Sequence, residues 1–211
     1  MTQANPYVGA YPWLEERRGV WREIARFVAR DAGRPDTVVE LGAGYCDFIN
    51  AFAARTKIAF DLNPDNTRYA APGVDLRITD ATTLPGVADG SVDLVFASNF
   101  LEHLASPEIG VLLRNVKRVL RKGGRLILIQ PNHRRCAEHY FDDPTHKTVF
   151  DDQNIRGYLA PYELHIVKLV PGQLPFSMKS RLPKWPLLTR LYLNSPVRPL
   201  GQQMYVVAER G

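Results

Sequence analysis

Residues 37–47, TVVELGAGYCD, constrain the fold of this 211-residue chain more than any other stretch. Thr37, Val38, Val39 and Leu41 are β-formers interrupted by one acid, Glu40, the pattern of a parallel strand buried on both faces. Gly42 and Gly44 follow, and they remove Cβ where the backbone turns or meets a ligand. The apolar run at 48–54 then reads as a short helix whose first N–H groups face whatever lies over the turn. Strand, glycine turn and helix in that order are expected of an α/β protein with a nucleotide-like ligand.

A dinucleotide site needs a third glycine to bring helix and strand together around a pyrophosphate, and here that position is Asp47. A carboxylate repels phosphates but tolerates a ligand bearing a cationic amino group. The other reading is a tight turn with no ligand. The next strands favour a ligand. Lys57-Ile58-Ala59-Phe60-Asp61 is a second apolar run ending in an acid, with Leu62 beside it, and Asp61 is placed to accept from the hydroxyls of a ribose. Val74–Ile78, the third such run, leads into Asp80 and Ala81. Asp80 can accept from an exocyclic adenine amine, and the Ala81 N–H can donate to a ring nitrogen.

These motifs resemble those of the class I S-adenosylmethionine-dependent methyltransferases of the small bacterial type. The resemblance covers roughly residues 36–165, in the family's motif order. It implies that Glu40, Gly42, Ala43 and Gly44 cradle the methionine part of the cofactor, that Asp61 and Leu62 meet the ribose, and that Asp80 and Ala81 meet the adenine. The run 91–99, SVDLVFASN, matches the fourth strand, which would place Ser98 and Asn99 by the methionine ammonium and the transferring methyl. Residues 123–129, GGRLILI, match the turn and fifth strand. The family's fold is a Rossmann-like, doubly wound α/β/α sandwich with a seven-stranded sheet of order 3-2-1-4-5-7-6 and strand 7 antiparallel.

At 45% hydrophobic residues, the chain is expected to form a single domain over 1–211 with one sizeable core. The first residues lack a basic region followed by an apolar run, every apolar run is short of a membrane span, and Cys46 and Cys136 are too few for a disulfide framework. A reduced, cytoplasmic setting is the expectation.

Local patterns predict a leading helix from Trp13 to Arg30, with Trp13, Val20, Trp21, Ile24, Phe27 and Val28 near one face. Another helix is expected to start with Ser106 as N-cap, Pro107 at N1 and Glu108 in the first turn, and to stop at Gly123-Gly124. Strands are expected at 92–97, 125–130, 165–170 and 203–209, and a last helix at 152–159.

A sulfonium methyl is already electrophilic, so the protein must align the acceptor and exclude water. A base is needed only for a hydroxyl or a protonated amine. His146, in a polar loop after the fifth strand, and His133, just beyond that strand, are the candidate bases. His103 reads as packing the start of a helix. Some superfamily members hold a divalent metal with E-x-x-E-H at this place and a further histidine. Here Asn99 replaces the first acid, so no metal ligands are assigned.

Residues 1–35 comprise the leading helix and a candidate lid at Tyr7–Trp13, with an aromatic clamp on the core as its alternative. Between Glu163 and Glu209 there is no acid, whereas Lys168, Lys179, Arg181, Lys184, Arg190 and Arg198 are present. Proline-rich 171–201 is read as a basic insertion between the last two strands, with a short helix at Trp185–Leu193. It can receive an anionic acceptor, rest on an anionic membrane, or serve as a packing arm or dimer contact. Nucleic acid is not expected, because the basic excess is modest and no RNA-binding module is present.

The expected function is transfer of a methyl group to a small-molecule or glycan- or lipid-linked acceptor, at oxygen or nitrogen, leaving S-adenosylhomocysteine. The alternatives are a non-catalytic cofactor-binding subunit and a membrane-surface enzyme acting on a lipid. A monomer or homodimer is compatible with the sequence. A nicotinamide oxidoreductase would need the missing third glycine and a substrate domain, and an aminopropyl transferase would need paired acids for a polyamine.

Overall fold

The structure, a computed structural model, describes residues 13–175 and 184–211. Seven strands form one sheet: β1 (Thr37–Leu41), β2 (Thr56–Asp61), β3 (Val74–Ile78), β4 (Val92–Ser98), β5 (Leu120–Pro131), β6 (Leu164–Leu174) and β7 (Gln203–Arg210). Their order is β3-β2-β1-β4-β5-β7-β6, parallel throughout except that β7 runs antiparallel to both neighbours. This is the expected fold. The strand order reverses between β1 and β4, the crevice where open α/β sheets take their ligands at the carboxyl ends of the strands.

Alternation along the central strands sorts the core into two halves. Val39, Leu41, Val95, Ala97, Leu126 and Leu128 point to one face, and Val38, Leu94, Phe96 and Ile127 to the other. On the first face lies α3 (Ser106–Val119), which buries Ile109, Leu112, Leu113, Val116 and Val119 along one stripe. Each such side chain contributes at most about 1.5–3 kcal/mol on burial. On the second face lie α1 (Glu16–Ala32) and α2 (Asp47–Ala51); Phe48 of α2 stacks on Phe96 of β4 with ring centroids 3.6 Å apart.

Several boundaries differ from expectation, each for a local reason. Trp13 lies before α1 and is exposed, while Val20, Ile24, Phe27 and Val28 form the buried stripe. Helix α2 ends at Ala51, earlier than expected, because Phe52 turns extended to enter the core. The N-cap of α3 is Ala105, not Ser106. Its N–H donates to the Glu108 carboxylate at 2.6 Å, so the helix is capped from inside its first turn. The helix stops at Val119 rather than at the glycines, because Leu120 already pairs with Val92 and Gly123 (φ 69°) then makes the turn within β5. The last predicted helix is confined to α5 (Ile155–Leu159), since the Asp151 carboxylate takes the Gln153 and Asn154 N–H groups in a turn before it.

A short helix, α4 (His133–Cys136), follows β5 and was not predicted. Strand β6 extends to Leu174 through register shifts, four residues past the expected end of that strand at 170. The predicted helix within the insertion is α6 (Pro186–Asn194). The proposed lid falls, apart from Trp13, on residues outside those described; Trp13 itself stacks on Tyr69 at 6.2 Å.

Candidate active site

Buried β1 delivers Glu40 and the glycine turn to the switch point. Gly42 and Gly44 both have φ in the left-handed region, at 64° and 52°. A Cβ at Gly42 would lie 2.6 Å from Phe100 Cδ2, whereas a Cβ at Gly44 would meet nothing within 4 Å. Phe100 therefore covers one side of the turn and leaves the other open. The Ala43 N–H donates to Phe60 O, and the Gly44 N–H donates to Asp61 Oδ2 at 2.7 Å. Asp61 Oδ1 accepts from the Asn63 N–H at 2.8 Å and from Asn66 Nδ2 at 3.1 Å. Two carboxylate oxygens offer about four acceptor positions, so one remains on Oδ2 for a ligand hydroxyl.

Three carboxyls crowd this turn. Glu40 is buried and accepts from the Ile49 N–H at 3.0 Å. Burial pushes its pKa well above the usual carboxylate range; the Ile49 bond lowers it, and the nearby charges of Asp47 and Asp61 raise it further. Asp47 is raised by burial against the pull of Arg17, whose Nε lies 2.9 Å from Oδ2. The Cys46 thiol is pushed up to about 12 by burial and then by Glu40, Asp61 and Asp47, so it is inert at neutral pH. A pyrophosphate would add negative charge beside these carboxyls, whereas a cationic ligand would draw Glu40 toward its ionised form.

At the tip of β3, Asp80 accepts from the Thr82 N–H at 2.8 Å and from Thr82 Oγ1 at 2.7 Å, and Ala81 is buried behind it. Leu62 is exposed next to Asp61. At the tip of β4, Asn99 takes φ 49° and its side-chain oxygen accepts from buried Gln203 at 2.6 Å. That bond joins the end of β4 to the start of β7. Ser98 pairs in register with Ile129 of β5.

A second cluster lies beyond β4. Glu102, His103 and His146 each bring one ligating atom within 4.8 Å of the others. Glu102 is fully buried, and among the described residues neither carboxyl oxygen hydrogen-bonds beyond its own backbone. Burial raises it to about 8, so it is largely protonated at neutral pH. His146 Nδ1 lies 2.5 Å from the Tyr140 carbonyl and must donate to it, which leaves Nε2 without a proton, 4.0 Å from Glu102 Oε1. The Thr145 hydroxyl donates to Asp143 Oδ1 at 2.5 Å and therefore accepts from His103 Nδ1 at 2.8 Å. Burial lowers both histidines from the ordinary 6.5, and His146 lowers His103 further, so both are neutral at pH 7.

Residues 39–128 match the model of a family described as a methyltransferase domain. Over this stretch, 90 of the chain's 211 residues, the sequence is similar to methyltransferase domains. A solved S-adenosylmethionine-dependent methyltransferase from Archaeoglobus fulgidus superposes with a TM-score of 0.68 at 19% identity, over 92% of this chain and 94% of that one. Another, from Mesorhizobium loti, gives 0.63 at 15% identity, over 90% and 98% of the two chains. A 37.1 kDa protein of transposon TN4556 from Streptomyces fradiae is 39% identical over 115 residues. The match takes in 49% of this chain and 32% of that protein, so the chain aligns with about a third of its curated relative.

S-adenosylmethionine is the donor named for those two solved structures, and the residues here fit it. The glycine turn is open at Gly44, Asp61 and Asp80 retain acceptor positions, and the three carboxyls suit a donor with sulfonium and ammonium charges. Of the two histidines singled out from the sequence, His146 belongs to the second cluster with its ring enclosed, and His133 opens α4 with its ring 5.2 Å from that of Tyr140. The two do not meet. His103, expected from the sequence to pack the start of a helix, has its ring 5.0 Å from that of His146; Thr145, Asp143 and Phe100 were not singled out. The D-x-T spacing of Asp143 and Thr145, which favours a local side-chain turn, was the available signal for two of them.

Proposed function

We propose that this protein transfers a methyl group from S-adenosylmethionine to a hydroxyl of a polar small-molecule or glycan- or lipid-linked acceptor. The observation that carries the donor half is the open, left-handed glycine turn bracketed by Glu40, Asp47 and Asp61. When bound, S-adenosylmethionine supplies a methyl group made electrophilic by its sulfonium. Asp61 and Asp80 orient the donor through their remaining acceptor positions, and Phe100 closes the Gly42 side of the turn.

On the acceptor side, His103, neutral at pH 7, is the base for the hydroxyl proton. Its Nδ1–H is held by Thr145, and Thr145 by Asp143, so the ring is held in one orientation. His146 and neutral Glu102 act as positioning residues behind it, with His133 as the second candidate base. A polar acceptor is favoured by Gln130, at the end of β5. Its side chain is fully buried and both amide atoms lack partners among the described residues, a deficit that hydroxyls of an acceptor can satisfy. Strand alternation puts Gln130 on the same face as Leu128 and Leu126, the face shared by Leu101 and Phe150 beside the histidine cluster.

The test uses tritiated-methyl S-adenosylmethionine offered with polar and lipid fractions of an extract from the source organism. Label should enter a non-volatile acceptor. His103→Asn should lower incorporation about 10²–10⁴-fold while affinity for S-adenosylhomocysteine stays unchanged. Failure of the native protein to bind S-adenosylhomocysteine would reject the reading. Binding without label in either fraction would favour the non-catalytic subunit instead.

A further inference from the structure

Helix α6 lies along α1 in the same direction. Pro186 packs where a Cβ on Gly19 would be only 2.6 Å from its Cγ, and Asn194 at the other end accepts from Arg30. Leu193 faces inward and is buried. The outward side is apolar: Trp185 is 69% exposed, Leu187 68% and Leu191 61%, with Leu188 also exposed. Four large apolar side chains at solvent on one short helix need an apolar phase to cover them.

The flank between this stripe and α1 is basic. A cleft of about 200 Å³ is lined by Arg26, Phe27, Arg30 and Asn194, with Arg190 from α6 and buried Glu23 opposite. Glu23 pairs with Arg26 at 2.5 Å, so the three arginines and one acid leave two positive charges. At 3.6 residues per turn, Arg190 and Asn194 lie beside the Leu187–Leu191 stripe on α6. An apolar stripe edged by arginines, in a segment with no acid between Glu163 and Glu209, is the pattern of a helix that lies in a membrane interface.

We propose that the α1–α6 face seats this protein on an anionic lipid bilayer, with Trp185, Leu187 and Leu191 in the interface and a headgroup phosphate in the cleft of Arg26, Arg30 and Arg190. A soluble phosphate would satisfy the arginines and leave the leucines in water, and nucleic acid would do the same. A symmetric second copy would set the three arginines against their own counterparts. The bilayer alone matches both chemistries. The α1 end nearest Pro186 also carries Arg17, which holds Asp47 by the glycine turn, so the seated face adjoins the mouth of the donor site. The inference goes beyond methyl transfer and does not rest on it.

The full chain should float with vesicles of phosphatidylcholine containing 30% phosphatidylglycerol. Binding should be at least tenfold weaker to phosphatidylcholine alone, and similarly weaker in 0.5 M NaCl. Leu187→Ser with Leu191→Ser, and separately Arg30→Glu with Arg190→Glu, should each lower binding at least tenfold without moving the thermal midpoint by more than a few degrees, since these side chains are exposed. Brominated lipid should quench tryptophan emission in the native protein and quench it far less in Trp185→Phe, a variant that keeps the ring and so keeps the fold. Equal flotation with neutral vesicles, no flotation, or quenching unchanged in Trp185→Phe would overturn the proposal. So would tighter binding to a non-specific oligonucleotide than to the anionic vesicles, or a dimer in light scattering that the leucine pair abolishes while lipid binding is absent.

Discussion

Replacing Asp61 by asparagine separates the task that the structure shows for this carboxylate, holding the loop, from the donor binding proposed for it. The native side chain accepts from the Gly44 N–H, the Asn63 N–H and Asn66 Nδ2, at 2.7, 2.8 and 3.1 Å. Asparagine keeps the shape but only one accepting oxygen. Turned toward Asn63 and Asn66, it saves two bonds and points an NH₂ group at the Gly44 N–H, donor against donor. Losing one hydrogen bond to a charged acceptor costs about 1.5–3 kcal/mol, and partial access of water should reduce this to roughly 1–2 kcal/mol. For a chain of this size the thermal midpoint should then fall by roughly 2–8 °C.

The donor loses its acceptor position on the same residue, so affinity for S-adenosylhomocysteine should weaken by about 10–100-fold. Calorimetric titration reads the second effect directly. Scanning calorimetry reads both: at 100 times the native Kd, ligand should stabilise the native protein by about 2.7 kcal/mol and the variant by only about 0.4–1.4 kcal/mol. A variant that loses the midpoint as expected yet binds S-adenosylhomocysteine as tightly as the native protein would refute the reasoning. Asp61 would then serve the loop alone.

Gly42→Ala should destabilise the protein by roughly 2–5 kcal/mol, from a left-handed alanine and from overpacking against Phe100; adding Phe100→Ala should recover the overpacking part only, as a double-mutant cycle by chemical denaturation will show. Glu102 is raised to about 8 from an ordinary 4.5, so the stability it lends is complete below about pH 4.5 and is lost as pH rises through 8. Between pH 7 and 9, denaturant titrations should therefore show the native protein losing about 1 kcal/mol more than Glu102→Gln; parallel curves would disprove the protonated carboxyl. His103 and His146 are lowered, so their contribution has the opposite sign and is lost only as pH falls below about 6.5, outside that window. Thr145→Val should lower kcat roughly tenfold with KM steady, and the acid limb of native kcat/KM should lie below pH 6.5; an unchanged kcat would remove the relay. Dialysis against a strong chelator should leave turnover and midpoint unchanged, and a loss restored by a divalent cation would show that Glu102, His103 and His146 hold an ion.

The strand–turn–helix geometry at the switch point was legible in the sequence because its parts are local. A buried strand, two glycines with left-handed φ and an acid at each following strand tip are set by backbone geometry within a few residues, so Glu40, Gly42, Gly44, Asp61 and Asp80 could be placed from their neighbours. Helix boundaries were less legible. Phe52, Ala105 and Leu120 stop or start elements through contacts with the sheet that local propensity does not contain.

The sequence by itself determined the strand–turn–helix unit, the acids at three strand ends and the basic, acid-free segment near the carboxyl end. Tertiary structure alone decided which histidine stands where. It joined Glu102 and His103 to His146 across some forty residues, tied Asn99 to Gln203, and laid α6 along α1 so that Arg190 shares one cleft with Arg26 and Arg30. These groupings depend on chain crossings and on burial, which raise or lower a proton's affinity through surroundings contributed by remote segments, and no pattern of neighbouring residues encodes them.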